Sequence, residues 1–259
     1  MGPYLTILGP AFLAGLLVLS THVPLGREVL RRGIIFLDLA IAQVAALGLV
    51  VAGQLGFEVH GGIDAVIAQS IAVIAAVTGG MVLYRLRRLN AVTQEALIGI
   101  LFVLASTGSI ILLAGSAHGG ERLKALLVGQ ILWVKPTDLL PVAAIYALVL
   151  GVWFGWREKL GEWVFYPLFA VAITLSTQLV GVYLVFASLI VPALAAQGFR
   201  RPQVAAYFAG AVAYLLGLLL SVIFDTPSGA TVVWCLALVG GALFIARTYR
   251  QVSREAPGR

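Results

Sequence analysis

Charge is what this sequence has least of. Asp, Glu, Lys and Arg together make up 11% of its 259 residues, under half of the roughly 25% that a soluble domain carries. That is too little to clothe a water-facing surface. Cysteine is nearly absent too: the single Cys235 sits in an apolar run, which excludes a disulfide framework and a thiolate metal site. No G-x-x-x-x-G-K-[ST] loop is present, so the chain lacks the usual backbone cradle for ATP phosphates. There is no H-E-x-x-H and no G-x-S-x-G elbow, and the three histidines, His22, His60 and His118, lie far apart in sequence. An enzymatic reading has no constellation to stand on. The net charge of +6 would suit nucleic acid, but the basic residues form no stripe with interleaved aromatics, and no nucleic-acid partner is expected.

What is present in abundance is apolar. Hydrophobic residues make up 61% of the chain, with a mean hydropathy of +1.04. They fall in runs of roughly twenty residues, the length that crosses a hydrocarbon core. Backbone groups find no water there and must pair within a helix. The expected fold class is an all-α, polytopic membrane protein. Candidate spans are Tyr4–Leu25, Ile34–Leu55, Ile63–Tyr84, Ala96–Gly115, Leu139–Trp156, Val164–Pro192, Val204–Phe224 and Ala230–Ala246. A shorter stretch, Leu123–Val134, reads equally as a short crossing, a re-entrant piece or an interfacial helix. The first run has no basic segment before it and no small-residue cleavage site, so a membrane helix is expected there rather than a removed signal. Residues 1–246 are expected to form one membrane domain and 247–259 a basic cytoplasmic tail.

The basic residues cluster between the runs. Arg27, Arg31 and Arg32 form one group, Arg85, Arg87 and Arg88 a second, and Arg200 and Arg201 a third; Arg247, Arg250, Arg254 and Arg259 lie in the tail. Lys and Arg mark cytoplasmic loops, which places the Glu58–Asp64 loop, the Asp225 turn and the N-terminus outside, with the C-terminus inside. That arrangement needs an odd number of crossings. Nine results if Leu123–Val134 crosses; eight results if it does not, with one basic loop misplaced. Gly151 and Gly155 form a small-xxx-small pattern of the kind that lets helices approach closely in lipid.

Polar groups inside apolar spans are costly and tend to face a bundle interior or a pathway. Thr174, Thr177, Gln178 and Gly181 recur at i, i+3, i+4 and i+7, and Ser188 extends the same face, one narrow polar stripe on an otherwise apolar helix. Interhelical hydrogen bonding and a substrate path are both open for that stripe. In the second span, Asp38 lies roughly 9 Å along the helix from Arg32 and Gln43 near the midplane, at a depth similar to that expected for Gln178. Asp38 and Gln43 are about 140° apart around the helix and do not share a face. An ion pair with Arg31 or Arg32 is the alternative for Asp38. Pro192 is expected to break its helix, leaving Ala193–Pro202 as a compact basic connection, either an ordinary loop or a short docking helix.

Several motifs together resemble the permease family of ABC importers for zinc, manganese and ferrous iron. Leu25-Gly-Arg-Glu-Val-Leu-Arg-Arg-Gly33, running into Asp38–Gly48, looks like the family's second-helix signature. Gln94-Glu-Ala-Leu-Ile-Gly-Ile100 is similar to its E-x-x-I-G-I segment, and Leu126-Leu-Val-Gly-Gln-Ile-Leu132 to its L-F-G-x-I-L stretch. Gln178-Leu-Val-Gly-Val with Leu184–Ala193, and Asp225-Thr-Pro-Ser-Gly-Ala-Thr231, resemble two further motifs, in the same order along the chain. The second helix departs from the family, which usually carries Asp and His four residues apart. Here those positions read Leu39 and Gln43, with Asp38 displaced by one.

The resemblance implies a multi-pass permease in the cell membrane of a prokaryote. It implies a second permease copy forming a homodimer, a separate ABC ATPase subunit that binds the ATP, and an extracytoplasmic substrate-binding protein. No stably bound cofactor is expected, and the cargo would be a divalent metal ion. Asp38, Gln43, Thr174, Thr177 and Gln178 are the candidate path, with Asp38 and Gln43 the candidate metal contacts. Gln197, Gly198, Arg200, Arg201 and Pro202 would belong to a coupling helix that docks on the ATPase. Gly129 and Gln130 would lie near the cytoplasmic gate. A chelate or another small solute is the alternative cargo. A stand-alone secondary transporter would need an ionisable relay deep in the membrane, for which Asp38 is the one candidate.

Overall fold

The computed structural model describes residues 2–57, 62–114, 119–129 and 131–255. Within them the chain is helical throughout, with short turns and no strand. In order the helices are α1 (Gly2–Arg32), α2 (Leu37–Gln54), α3 (Gly62–Leu86), α4 (Ala91–Leu113), α5 (Gly119–Val128), α6 (Pro136–Gly155), α7 (Arg157–Leu160), α8 (Phe165–Val180), α9 (Val182–Ala195), α10 (Pro202–Phe224) and α11 (Ser228–Glu255). Local chemistry sets several boundaries. Asn90 caps α4 by accepting a hydrogen bond from the Thr93 N–H at 2.8 Å. Pro136 and Pro202 open α6 and α10 at the position where a missing N–H costs nothing. Asp225, with φ of 51°, ends α10 in the left-handed region that Asp tolerates better than most residues.

Among the described residues, eight helices are long and apolar enough to cross a membrane, and α9 is a shorter apolar ninth. The ninth element does not come from Leu123–Val134. That segment forms α5 and a single 3₁₀ turn, Ile131–Trp133, and α5 is about 15 Å long, half a hydrocarbon core. It comes from Val164–Pro192, which is two helices broken at Gly181. Gly181 has φ 83° and ψ 158°, a conformation essentially restricted to glycine. Its N–H closes α8 on the Thr177 carbonyl at 2.9 Å, and its own carbonyl accepts the first α9 bond from Val185 at 3.1 Å. The chain turns back there.

Contacts at the ends show the reversal. One groove collects Arg27 and Arg31 from α1, Trp153 and Arg157 from the α6–α7 corner, and Ala193 and Gln197 from the end of α9. Arg87 pairs with Glu162, and the Arg247 guanidinium lies against Gly198. All the described basic clusters therefore share one end of the bundle. At the other end, a Cβ on Gly229 would lie 2.5 Å from the Val128 carbonyl oxygen, so α5 and the start of α11 meet opposite the basic face. The odd parity and the grouping of basic loops expected from the sequence are both met by this path.

Pro192 does not break its helix. α9 runs through it to Ala195, and residues 196–201 form a turn rather than a separate helix. The expected tail likewise begins as a continuation of α11, which extends to Glu255. Gly151 and Gly155 meet nothing within 4 Å in the protomer. The close helix contacts are made elsewhere, by Gly48 on Ala72 and Gly217 on Val232, where a Cβ would lie 2.9 and 2.6 Å from the neighbouring Cα. α2 and α8 are innermost, with 72% of each span buried against 22% for α4.

With the basic end on the cytoplasmic side, accessibility can be predicted. In a Cys235→Ala background, Thr226→Cys is expected to react with an impermeant thiol reagent added to intact cells, and Arg88→Cys is not. Both positions are exposed, at opposite ends. Gly229 is buried and His60 lies outside the described residues, so neither replaces Thr226 in this experiment. The reverse labelling pattern would invert the orientation.

Candidate functional site

The site is built on α2. Leu39 and Gln43 stand four residues apart, one above the other on a single helix face, and that face lines a concave cavity of about 530 Å³. α4 contributes Phe102 and Ser106, α9 contributes Tyr183 and Phe186, and α11 contributes Trp234. α9 begins only because the chain breaks at Gly181, so the helix break itself brings Tyr183 and Phe186 to the cavity. Phe186 is held by Phe36, stacked at 6.4 Å between ring centroids. Gln43 is 3% exposed, and no hydrogen bond to a described residue ties its amide down. Its polar head belongs to the cavity.

Asp38 is absent from the cavity. One residue from Leu39 it is turned by about 100°, into the protein, where it is 1% exposed and meets no side-chain donor among the described residues. It sits in the first turn of α2, where the helix's free N–H groups favour a carboxylate. The ion pair considered for it is not formed. Arg31 and Arg32 instead bind Glu28, whose carboxylate accepts from Arg31 Nε at 2.9 Å and Arg32 Nε at 2.7 Å. The Arg32 guanidinium also lies 4.5 Å over the Phe165 ring, tying the end of α1 to the start of α8.

The polar stripe of α8 divides. Thr174 and Thr177 are buried and donate to the carbonyls of their own helix, Ala170 and Ile173, at 2.7 Å each. Gln178 is exposed, and it lines neither the cavity nor the basic groove. Ser188 lies beyond the break and bonds Tyr214 at 2.8 Å. Counting from the basic end, Gln43 is about 9 Å along α2 and Gln178 about 20 Å along α8. The two amides are therefore neither at one depth nor in one pocket.

Gln197, Gly198, Arg200 and Arg201 are exposed on the turn between α9 and α10, and Pro202 starts α10. Gly198 has φ 79°, and a Cβ there would meet the Arg247 guanidinium at 2.7–2.8 Å. The turn thus lies against the Arg247 side chain of α11. Gly129 is not near the basic face: its backbone lies against Val180 and Gly181 at the opposite end of the cavity wall. Gln130 lies outside the described residues.

A second polar cluster was not anticipated from the sequence. Tyr146 of α6 donates to the Ala172 carbonyl at 3.1 Å and shares a short hydrogen bond with Ser176. On α1, Thr21 and His22 Nδ1 are 3.1 Å apart, and His22 Nε2 has no partner among the described residues. The available signal was a tyrosine and a histidine within apolar runs. Among the described residues, no three of His, Cys, Asp and Glu come together.

A bundle of crossing helices with a cavity on one face and an exposed basic turn at one end suits a membrane permease. The model of the ABC 3 transport family matches residues 4–165 and 154–247, and the chain belongs to that family. It is the membrane-spanning permease of an ATP-binding-cassette transporter. The manganese transport system membrane protein MntC of Halalkalibacterium halodurans is 29% identical over 244 residues, covering 85% of this chain and 79% of that protein. PsaBC from Streptococcus pneumoniae, solved in complex with a Fab, shares the fold with a TM-score of 0.72 at 20% identity, over 91% of this chain and 90% of that one. A second solved structure, "An inward-facing conformation of a putative metal-chelate type ABC transporter", matches with a TM-score of 0.60 at 18% identity, over 93% of this chain and 85% of that one.

Proposed function

We propose that the chain forms the translocation path of an importer for a transition metal, zinc, manganese or iron, received from an extracytoplasmic binding protein and driven by a separate ATPase. The observation that carries this reading is the family match along nearly the whole chain, which the manganese-transport relative extends toward metal. The cavity supports it, because Gln43 offers an uncommitted amide within the bundle and a two-fold copy would double that amide around a central path. A few neutral oxygens suit a cargo that must leave quickly better than a tight cage. The Gln197–Pro202 turn is the surface for the ATPase. It is exposed, basic and in contact with Arg247, and it joins α9, which lines the cavity, directly to α10, so a push on it reaches both.

Uptake of radioactive zinc, manganese and iron into cells carrying the intact transporter tests the reading: loss of this chain should abolish uptake of at least one of them. Coupling is tested separately. Replacing Arg200→Glu and Arg201→Glu together is expected to cut co-purification of the ATPase by about tenfold, equivalent to roughly 1.4 kcal/mol, and to stop transport. Insertion must first be verified by thiol labelling at Thr226→Cys and Arg88→Cys, since the change also removes a positive-inside signal. A correctly inserted double mutant with unchanged ATPase association would remove the turn from the docking surface.

A further inference from the structure

The groove at the basic end carries charge that no described residue pairs. It measures about 730 Å³ and is lined by Arg27, Arg31, Arg157 and Lys159, against Glu28 and Glu158. Glu28 is already bound by Arg31 and Arg32, with Arg157 at 3.9 Å. Arg27 and Lys159 are exposed and enter no ion pair or side-chain hydrogen bond among the described residues. The surplus is positive.

The walls narrow the kind of anion that fits. Trp153 and the 62%-exposed Phe154 line the groove, and Trp156 and Trp163 stand exposed beside it in sequence. Aromatic rings collect where lipid meets water, so the groove lies at the level of the phospholipid headgroups. Its floor is α1, which packs on α6 along one flank and on α10 along another. Deeper than Arg27 the same face of α1 turns apolar. Leu16 and Leu13 lie within about 40° of Arg27 around the helix, and Leu13 is about 21 Å further in. Leu13 is 58% exposed. A positive mouth at headgroup depth thus continues as an exposed apolar strip. An acidic protein surface would match the mouth alone, whereas a phospholipid matches both parts. The α2 cavity, around which a second copy is placed, shares no lining residue with this groove.

We infer that the groove holds the headgroup of an anionic phospholipid of the cytoplasmic leaflet, its phosphodiester met by Arg27 and Lys159 and an acyl chain laid along α1. Basic pockets between helices on the cytoplasmic side suit such headgroups, and a guanidinium fork matches phosphate oxygens in geometry as well as charge. The lipid would also touch Gln197 and Gly198, which line the groove from the α9–α10 turn. Leaflet composition would then reach the surface offered to the ATPase. The site itself is independent of the cargo.

The test uses the full chain assembled with its ATPase, in nanodiscs of roughly nine parts phosphatidylcholine to one of phosphatidylglycerol. Phe154 in the groove, or Phe208, 70% exposed on α10 and outside it, is replaced by the photocrosslinker p-benzoylphenylalanine. Each lipid in turn carries radioactive phosphate. At Phe154, phosphatidylglycerol is expected to be captured about tenfold above its share of the bilayer, and at Phe208 close to its share. Arg27→Gln with Lys159→Gln is expected to remove most of that excess. Arg88→Gln, which takes a charge from the same end outside the groove, is expected to keep it. The wild-type comparison decides the matter even if the double variant inserts poorly. Capture of both lipids in proportion to their shares at Phe154 would overturn the proposal. So would an excess of the same size at Phe208, or one that a correctly inserted double variant leaves untouched. Capture of the ATPase chain at Phe154 in place of lipid would overturn it too, and would give the groove to the ATPase.

Discussion

Gly181→Val is expected to yield no folded permease, whereas Gly151→Val is expected to yield nearly as much as wild type. Both glycines sit in apolar helical sequence, and the structure separates them. Gly181 has φ 83° and ψ 158°, a region that costs a side-chain-bearing residue about 1–3 kcal/mol in backbone strain alone. A Cβ there would also lie 2.6 Å from the Val128 carbonyl carbon and 2.7 Å from the Gly129 Cα. Those are backbone atoms, which cannot swing aside as a side chain does. Gly129 faces the same obstacle from the other side, with φ 68° and a Cβ that would lie 2.5 Å from the Gly181 N. Strain and overlap together reach several kcal/mol, a large share of the total stability of a typical domain. At Gly151 nothing lies within 4 Å of a Cβ. Its helical backbone accepts Val, whose helix propensity is no worse than that of Gly. The measurement is the fraction of monodisperse protein after mild detergent extraction, with the thermal midpoint of the surviving protein. Equal yields from the two variants would mean that the α5 tip and the α8–α9 break do not touch.

That break also marks where reading the sequence ran out. The membrane class, the grouping of basic loops at one end and the odd parity were legible, because they depend on composition and on short-range charge, which lipid reads directly. The eight long spans were legible; the shorter α9 was not, because it comes from a break inside one of them and not from Leu123–Val134. Glycine is common in membrane helices, so Gly181 in an unbroken apolar run gave no local sign of a turn. The useful sign was length: Val164–Pro192 is well beyond the roughly twenty residues that a crossing needs. The reason for the break lies in Gly129, on another segment altogether. Pro192 misled in the opposite sense, since its missing N–H is tolerated inside a packed membrane helix. For the site, Gln43 was legible as a polar residue in an apolar span. That Asp38 lies on a different face was legible too, but which of the two faces meets the cavity was not, because it depends on how α4, α9 and α11 pack around α2. Tyr146 and Ser176 went unnoticed because their partnership joins α6 to α8, and no spacing within either helix reports it.

The two glutamines are expected to part company in transport. Gln43→Leu should reduce metal uptake to the background of cells lacking the chain, while Gln178→Leu should leave it within about twofold of wild type. Both substitutions replace an amide by an apolar group of similar size, so neither should disturb insertion into lipid. Gln43 is buried, lines the cavity and offers its amide to whatever enters. Losing it removes the sole amide among the described lining residues and leaves a cargo's polar group unpaired, a penalty of about 1–3 kcal/mol, or roughly a tenfold to hundredfold loss at each encounter. Gln178 is exposed, outside the cavity, about 10 Å deeper than Gln43 along the helices as measured from the basic end. Its apolar replacement would sit comfortably in lipid or against a neighbouring helix. Initial rates of radioactive metal uptake at matched permease abundance decide the matter. If Gln178→Leu is as severe as Gln43→Leu, the path runs along α8 and the α2 cavity is a bystander. If both transport at wild-type rates, neither amide meets the cargo, and the path must lie along another face, for which the buried cluster of His22, Tyr146 and Ser176 would be the next place to look.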